Sequence, residues 1–95
     1  MIQTGMVQLH SQMPGWQLHT GSGFRAFLSP DIKFSPAFST TPQVVVAFSK
    51  IIAQTNNLQV AVATSDVEAD EFNIIVQAWD VTSLSEVSVT WIAHD

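Results

Sequence analysis

The chain has 95 residues, of which 46% are hydrophobic and 12% charged, and its formal net charge at pH 7 is -5. A core of this size supports one compact unit and leaves little room for a second lobe, so we expect a single domain over residues 1–95. Three basic residues against eight acidic ones cannot neutralise a run of phosphates, which excludes nucleic acid as a partner.

Most apolar runs of the chain alternate with a period of two, which is the pattern of half-buried antiparallel strands. Clusters of proline, glycine and asparagine separate these runs at turns. In chain order, the predicted strands are residues 2–9, 31–35, 43–52, 58–66, 71–79 and 86–93. Because no helical periodicity accompanies them, we predict an all-β fold, a six-stranded antiparallel β-sandwich.

The two middle strands carry unusual outer faces. The strand at 43–52 is apolar on both faces, with Val44, Val46 and Phe48 on one and Val45, Ala47 and Ile51 on the other. The strand at 58–66 has an inward set of Leu58, Val60 and Val62 and a small or polar outward set of Gln59, Ala61, Ala63 and Ser65. A two-layer domain of this size has no third layer to cover such faces, so we predict self-association.

The last two strands place their tryptophans differently. The predicted core faces carry Phe72, Ile74, Val76 and Ala78 in one strand and Val87, Val89, Trp91 and Ala93 in the other. Trp91 is therefore predicted to be a core residue. Trp79 alternates in step with Glu71, Asn73, Ile75 and Gln77, so it is predicted to lie on the face opposite the core. Packing under a loop or in a subunit contact, and a role as a binding platform, both remain open for Trp79.

Residues suited to catalysis or metal binding are sparse. His10, His19 and His94 lack the spacing of a metal site, and no cysteine or GxSxG serine offers a nucleophile. The segment "HTGSGF" lacks the lysine and the glycine spacing of a phosphate loop, and residues 66–71 lack the glycine of a calcium loop. We expect no enzyme, no metal and no cofactor.

The sequence leaves the localisation open. No run approaches the roughly 18 apolar residues that span a bilayer, so we expect no membrane insertion. The first residues lack the basic-then-apolar order of a secretory signal, and the absence of cysteine removes any disulfide framework. Secreted, cell-surface and cytoplasmic locations all stay possible.

Landmarks along almost the whole chain resemble those of the H-type lectin domain family. In order, they are "IQTGMV" with Trp16, "IKFSPAFSTTPQVVVAFSKI", "NNLQV", "DVEADEFNIIVQAW" and "VSVTWIA". The resemblance implies a six-stranded β-sandwich that assembles as a trimer, or as a hexamer of two stacked trimers. It also implies galactose-type glycans as partners, with galactose or N-acetylgalactosamine bound in clefts between protomers of the homo-oligomer.

The resemblance also implies a set of sugar-binding residues. Trp79 matches the tryptophan of the family's site, and Gly21 or Gly23 matches the glycine of its early loop. Arg25 and Asp80 could form a pair of charged ligands for sugar hydroxyls if the loop before Arg25 crosses the cleft.

Three positions depart from the family's pattern. Gln59 stands where the family has an arginine, Asp80 stands in place of a histidine, and Ser85 stands where a second aromatic ring is expected. Two functions therefore remain open. One is a multivalent lectin with weak single sites, and the other is a structural oligomerisation domain that has lost sugar binding.

Overall fold

The computed structural model describes Met1–Asp95 and is built of β-strands without a helix. Accordingly, no helix is long and apolar enough to cross a membrane. The strands are β1 (Ile2–His10), β2 (Arg25–Leu28), β3 (Ile32–Lys33), β4 (Gln43–Gln54), β5 (Val60–Ser65), β6 (Glu71–Ala78) and β7 (Ser83–His94). The predicted all-β class is confirmed.

The strands form two antiparallel sheets that pack as a sandwich. In the first sheet, β7 lies between β1 and β4. In the second sheet, β6 pairs with β2, β3 and β5. Both central strands therefore come from the C-terminal third of the chain, and the turn that joins them lies at one end of the sandwich.

The core consists of the alternating apolar residues of the two central strands, as the period-two pattern predicted. The side chains with no exposed surface include Phe72, Ile74, Val76, Ala78, Val87, Val89 and Ala93. Trp91 is also buried, and its ring meets Phe34 and Phe72 edge-on at centroid distances of 5.9 and 5.3 Å. The prediction of a core role for Trp91 is confirmed.

Gly5 on β1 is the cross-strand partner of Trp91. A Cβ atom at position 5 would lie 2.6 Å from the indole ring, closer than a carbon contact allows. The absence of a side chain at Gly5 therefore makes room for Trp91 between the sheets.

The structure corrects the predicted facing of β4 beyond its middle. A β-bulge between Phe48 and Lys50 shifts the register, so that Ile51 pairs with Val87 and the next residue, Ile52, pairs with Glu86. Cross-strand partners share a face, and Val87 faces the core. Ile51 therefore does not lie on the outer face with Val45 as predicted, and Ile52 takes that place.

Two further details differ from the sequence prediction. The chain has seven strand segments, of which β2 and β3 pair in succession with β6, and the sequence pattern missed β2. β2 is only four residues long, and its first residue, the charged Arg25, faces inward. The alternation of apolar and polar residues that marks a strand is therefore not visible in the sequence. Leu58, which was predicted to face inward, lies before β5 and is exposed. The strand predicted at residues 58–66 therefore begins at Val60, two residues later than predicted.

Candidate functional site

Three loops meet at the end of the sandwich where β6 turns into β7. They are residues 19–24 before β2, residues 55–59 between β4 and β5, and residues 79–82 between β6 and β7, and we call them the loop cluster. The Gly23 amide donates to the Asp80 carbonyl at 3.0 Å, and the Trp79 amide donates to the Gln59 carbonyl at 3.0 Å. The Thr82 hydroxyl accepts a hydrogen bond from the backbone amide of Gln59 and donates one to the backbone carbonyl of Asn57, both at 3.0 Å. These bonds make the three loops one connected surface.

Arg25 is the anchor of the loop cluster. Its side chain is only 8% exposed, because the guanidinium turns inward among backbone carbonyls. The Nε, Nη1 and Nη2 atoms donate, at 2.9 to 3.2 Å, to the carbonyls of Gly23, Leu18, Thr20, Thr82 and Asp80. One planar cation thus fastens the first loop to the turn between β6 and β7.

This geometry corrects the predicted pairing of Arg25 with Asp80 as two charged ligands. The structure does bring the two residues together, but the guanidinium contacts the backbone carbonyl of Asp80 and not its carboxylate. Because the guanidinium is buried and donates to backbone carbonyls, Arg25 organises the loops.

Asp80 presents the only carboxylate of the loop cluster. Its backbone lies in the left-handed region at φ 56°, a conformation that aspartate tolerates better than most residues. The Asn57 Nδ2 donates to Asp80 Oδ2 at 2.9 Å, while Asp80 Oδ1 has no protein partner. The exposed carboxylate is therefore fixed through one oxygen and free to accept hydrogen bonds from a ligand through the other.

Trp79 does not stand alone on the outer face. Its ring is partly buried and lies 5.4 Å from the ring of Phe24, centroid to centroid, with the planes tilted by 48°. Phe24 is 58% exposed, which is unusual for so large an apolar side chain. The two rings form an aromatic surface beside Asp80 against which the C–H face of a sugar can lie.

The remaining predicted site residues divide into two groups. Gly21 and Gly23 take positive φ angles of 74° and 78° in the first loop, and Gln59 lies exposed in the second. Ser85 does not join them: its hydroxyl donates to the Ile52 carbonyl at 3.1 Å, and its carbonyl accepts from the Ser11 amide. The loop cluster therefore contains Gly21, Gly23, Gln59, Trp79 and Asp80, Arg25 anchors it from the start of β2, and Ser85 lies outside it.

Sequence reasoning missed two members of the loop cluster, Phe24 and Asn57. Each lies in a loop without periodicity, so its neighbours depend on how the loops fold and not on a strand pattern. The one sequence signal was the aromatic ring of Phe24 directly after a glycine-rich segment, "GSG". No group of three or more histidine, aspartate or glutamate side chains lies close enough to hold a metal ion.

Comparison with known proteins gives a consistent result. The model of the H-type lectin domain matches residues 29–94. Two solved structures of discoidin II from Dictyostelium discoideum are similar to the chain, with TM-scores of 0.86 and 0.88 at 19% and 18% sequence identity. These matches cover 98% and 100% of the chain but 36% of each discoidin II chain. No curated protein sequence matches the chain.

Proposed function

Because the chain belongs to the H-type lectin domain family, we propose that it is a non-enzymatic lectin that binds galactose-type sugars at the loop cluster. The family and the fold support a carbohydrate-binding protein. The observation that carries the sugar class is the free carboxylate oxygen of Asp80 beside the ring pair of Trp79 and Phe24.

The chemistry of galactose suits this arrangement. Its axial hydroxyl lies next to an equatorial one, and a carboxylate can accept from both through charge-assisted hydrogen bonds. The opposite C–H surface of the pyranose ring can then rest on an aromatic plane. Galactose and N-acetylgalactosamine share both features, so both are expected ligands.

Sugar binding at a single site is expected to be weak and to depend on Asp80. Gln59 offers only neutral donors where an arginine would offer charged ones, and neutral hydrogen bonds are roughly half as strong. We expect millimolar dissociation constants, measured by titrating galactose or N-acetylgalactosamine and following tryptophan fluorescence. Asp80→Asn should weaken binding by about tenfold, because it removes the charge but keeps the shape.

Gln59→Arg is the complementary variant and should strengthen binding if its side chain reaches the sugar held by Asp80. An intact oligomer that responds to no galactose-type sugar would contradict the proposed function. It would favour the alternative, a structural oligomerisation domain that has lost sugar binding.

Self-association is the second part of the proposal, and the outer face of the first sheet supports it. This face exposes five large apolar side chains: Ile2, Met6, Val45, Ile52 and Ile92. Exposed apolar side chains gathered on one face of a sheet are typical of a contact between subunits. A trimer or a hexamer would cover it and would bring several weak sugar sites onto one particle.

Sedimentation is expected to show a trimer or a hexamer at micromolar concentration. Val45→Lys should dissociate it, because an unpaired charge would be buried in the contact. Thr40→Lys, in an exposed loop, adds the same charge away from the face and should leave the assembly intact. Ala61→Lys tests the outer face of the second sheet in the same way. A monomeric unmodified protein would contradict both the contact and the location of the sugar sites between protomers.

A further inference from the structure

Each of the three loops in the loop cluster exposes one large apolar side chain close to Asp80. These side chains are Phe24, Leu58 and Val81, which are 58%, 51% and 54% exposed, and we call them the apolar rim. None of them belongs to the outer face of the first sheet, which self-association would cover. Single exposed apolar residues are ordinary, but several gathered around one polar group are typical of a surface that binds a ligand.

Two members of the apolar rim are fixed next to Asp80 by the backbone. Phe24 follows Gly23, whose amide donates to the Asp80 carbonyl at 3.0 Å. Val81 directly follows Asp80 in the tight turn between β6 and β7. Because one position depends on a hydrogen bond between loops and the other on the covalent chain, both side chains stay beside Asp80.

Leu58 is fixed by hydrogen bonds on both sides of it. The backbone carbonyl of Asn57 accepts from the Thr82 hydroxyl, and the backbone amide of Gln59 donates to the same hydroxyl, both at 3.0 Å. The Asn57 side chain also donates to the Asp80 carboxylate at 2.9 Å. Thr82 has no exposed surface, whereas Leu58 is half exposed. The flanking backbone groups therefore point into the domain, and the Leu58 side chain lies at the surface near Asp80.

The charges near the apolar rim oppose an anionic group as its occupant. The free carboxylate oxygen of Asp80 would repel a phosphate or a second carboxylate. The Arg25 guanidinium is buried among carbonyls, and the other two basic residues, Lys33 and Lys50, pair with glutamates on other strands. The rim itself is aliphatic and aromatic, so it suits an uncharged apolar group.

The proposed galactose site gives a reason for an apolar group at this place. In a glycoconjugate, the anomeric oxygen of the sugar carries a further group, the aglycone. A single pyranose ring is small compared with the three loops, so an aglycone on a galactose held by Asp80 comes within reach of the apolar rim. A peptide aglycone brings backbone amides and carbonyls that need partners. An alkyl chain needs only apolar contact, which the three side chains supply.

From this arrangement we infer that the apolar rim binds the first methylene groups of an alkyl chain linked to the anomeric oxygen of galactose. The preferred ligands are then neutral galactosyl lipids. The inference rests on the proposed function, since the sugar held at Asp80 brings the chain to the rim. Leu58 and Val81 determine the preference, whereas Phe24 also belongs to the ring pair that faces the sugar.

Titrations of the oligomer with short alkyl glycosides, followed by tryptophan fluorescence, test the inference. We expect hexyl galactoside, in at least one of its two anomeric forms, to bind about tenfold more tightly than the matching methyl galactoside, because several methylene groups leave water. Hexyl glucoside carries the same chain on the epimeric sugar and should bind more weakly than hexyl galactoside, because it lacks the axial hydroxyl. All glycosides are used below the concentration at which they form micelles.

The double variant Leu58→Ser/Val81→Ser should reduce the ratio of the two galactoside dissociation constants from about ten to about one, because it removes the apolar contact. Each single variant should lower the ratio in part and provides a second test if the double variant does not fold. Leu28→Ser is the matched control, since it removes a half-exposed leucine from β2, outside the loop cluster. It should leave the ratio unchanged.

Equal binding of methyl and hexyl galactosides by the unmodified oligomer would overturn the inference and leave the galactose site standing. Hexyl glucoside binding as tightly as hexyl galactoside, or a tenfold ratio that survives the double variant, would also overturn it. Dissociation of the double variant in sedimentation would do the same, because the apolar rim would then be a contact between protomers. Binding of no galactoside at all would contradict the proposed function itself, and the inference with it.

Discussion

Replacing Trp91 with alanine is expected to lower the free energy of unfolding by about 3 to 5 kcal/mol, the usual loss for truncating a buried aromatic side chain. Trp91 is 8% exposed and lies between β1 and the rings of Phe34 and Phe72. Gly5 leaves no side chain that could move into the vacated space. Because a domain of this kind is stable by only about 5 to 15 kcal/mol, the variant is expected to lose a large share of its stability.

Equilibrium denaturation in urea measures this loss, and Trp79→Ala is the matched control. Trp79 is partly exposed and its ring packs against a ring that is itself exposed, so its removal should leave a folded protein with weakened galactose binding. If Trp79→Ala cost more stability than Trp91→Ala, the assignment of the two tryptophans to their faces would be wrong. A shift of one residue in a strand exchanges its two faces, so the whole core assignment of β6 and β7 would fail with it.

The sequence was sufficient to predict the central strands because their buried apolar side chains alternate along the chain, although Asn73 and Ser88, of the opposite parity, are buried as well. One face of β6 and one face of β7 are fully apolar, so alternation identified both the strands and the facing of Trp91. Parity failed at Ile51, where a bulge inserts an extra residue into β4. It also failed at β2, where Arg25 occupies an inward position that the alternation reserves for an apolar residue.

The loop cluster was predictable only in part. The resemblance to the family identified Trp79, Gly21, Gly23 and Gln59, and the structure brings these residues together with Asp80. The resemblance did not identify Phe24 or Asn57. Hydrogen bonds between segments far apart in the chain decide which loop residues approach Trp79 and Asp80. The backbone acceptors of the Arg25 guanidinium were not predicted for the same reason, since carbonyl acceptors carry no signature in the sequence.

Arg25 therefore links the stability of the fold to the geometry of the proposed sugar site. Its five acceptors belong to two segments, residues 18–23 and 80–82, that no regular sheet pairing joins. Two of these bonds, to the carbonyls of Leu18 and Thr82, are buried, where water cannot replace the guanidinium. Asp80 owes its backbone position to this anchor and to the amide of Gly23.

Arg25→Met is accordingly expected to lower the free energy of unfolding by about 2 to 6 kcal/mol, since each buried carbonyl left unpaired costs about 1 to 3 kcal/mol. Galactose binding should be lost as well, because the first loop would separate from Asp80. Arg25→Lys should recover only part of both properties, since a single ammonium cannot reach acceptors on both segments in the way that a planar guanidinium does.

Lys50→Met is the matched control for Arg25→Met, because it removes the same charge from an exposed ion pair with Glu86. Such a pair contributes about 0 to 1 kcal/mol, so this variant should unfold near the urea concentration of the unmodified protein and keep its galactose site. Urea denaturation and titration with galactose on Arg25→Met, Arg25→Lys and Lys50→Met separate the effect of the buried hydrogen bonds from the effect of the charge. Equal stabilities for Arg25→Met and Lys50→Met would show that the net charge matters and the anchor does not. Undiminished galactose binding by a folded Arg25→Met would show that Asp80 keeps its position without the guanidinium, which would leave the aromatic pair and Asn57 as the groups that define the site.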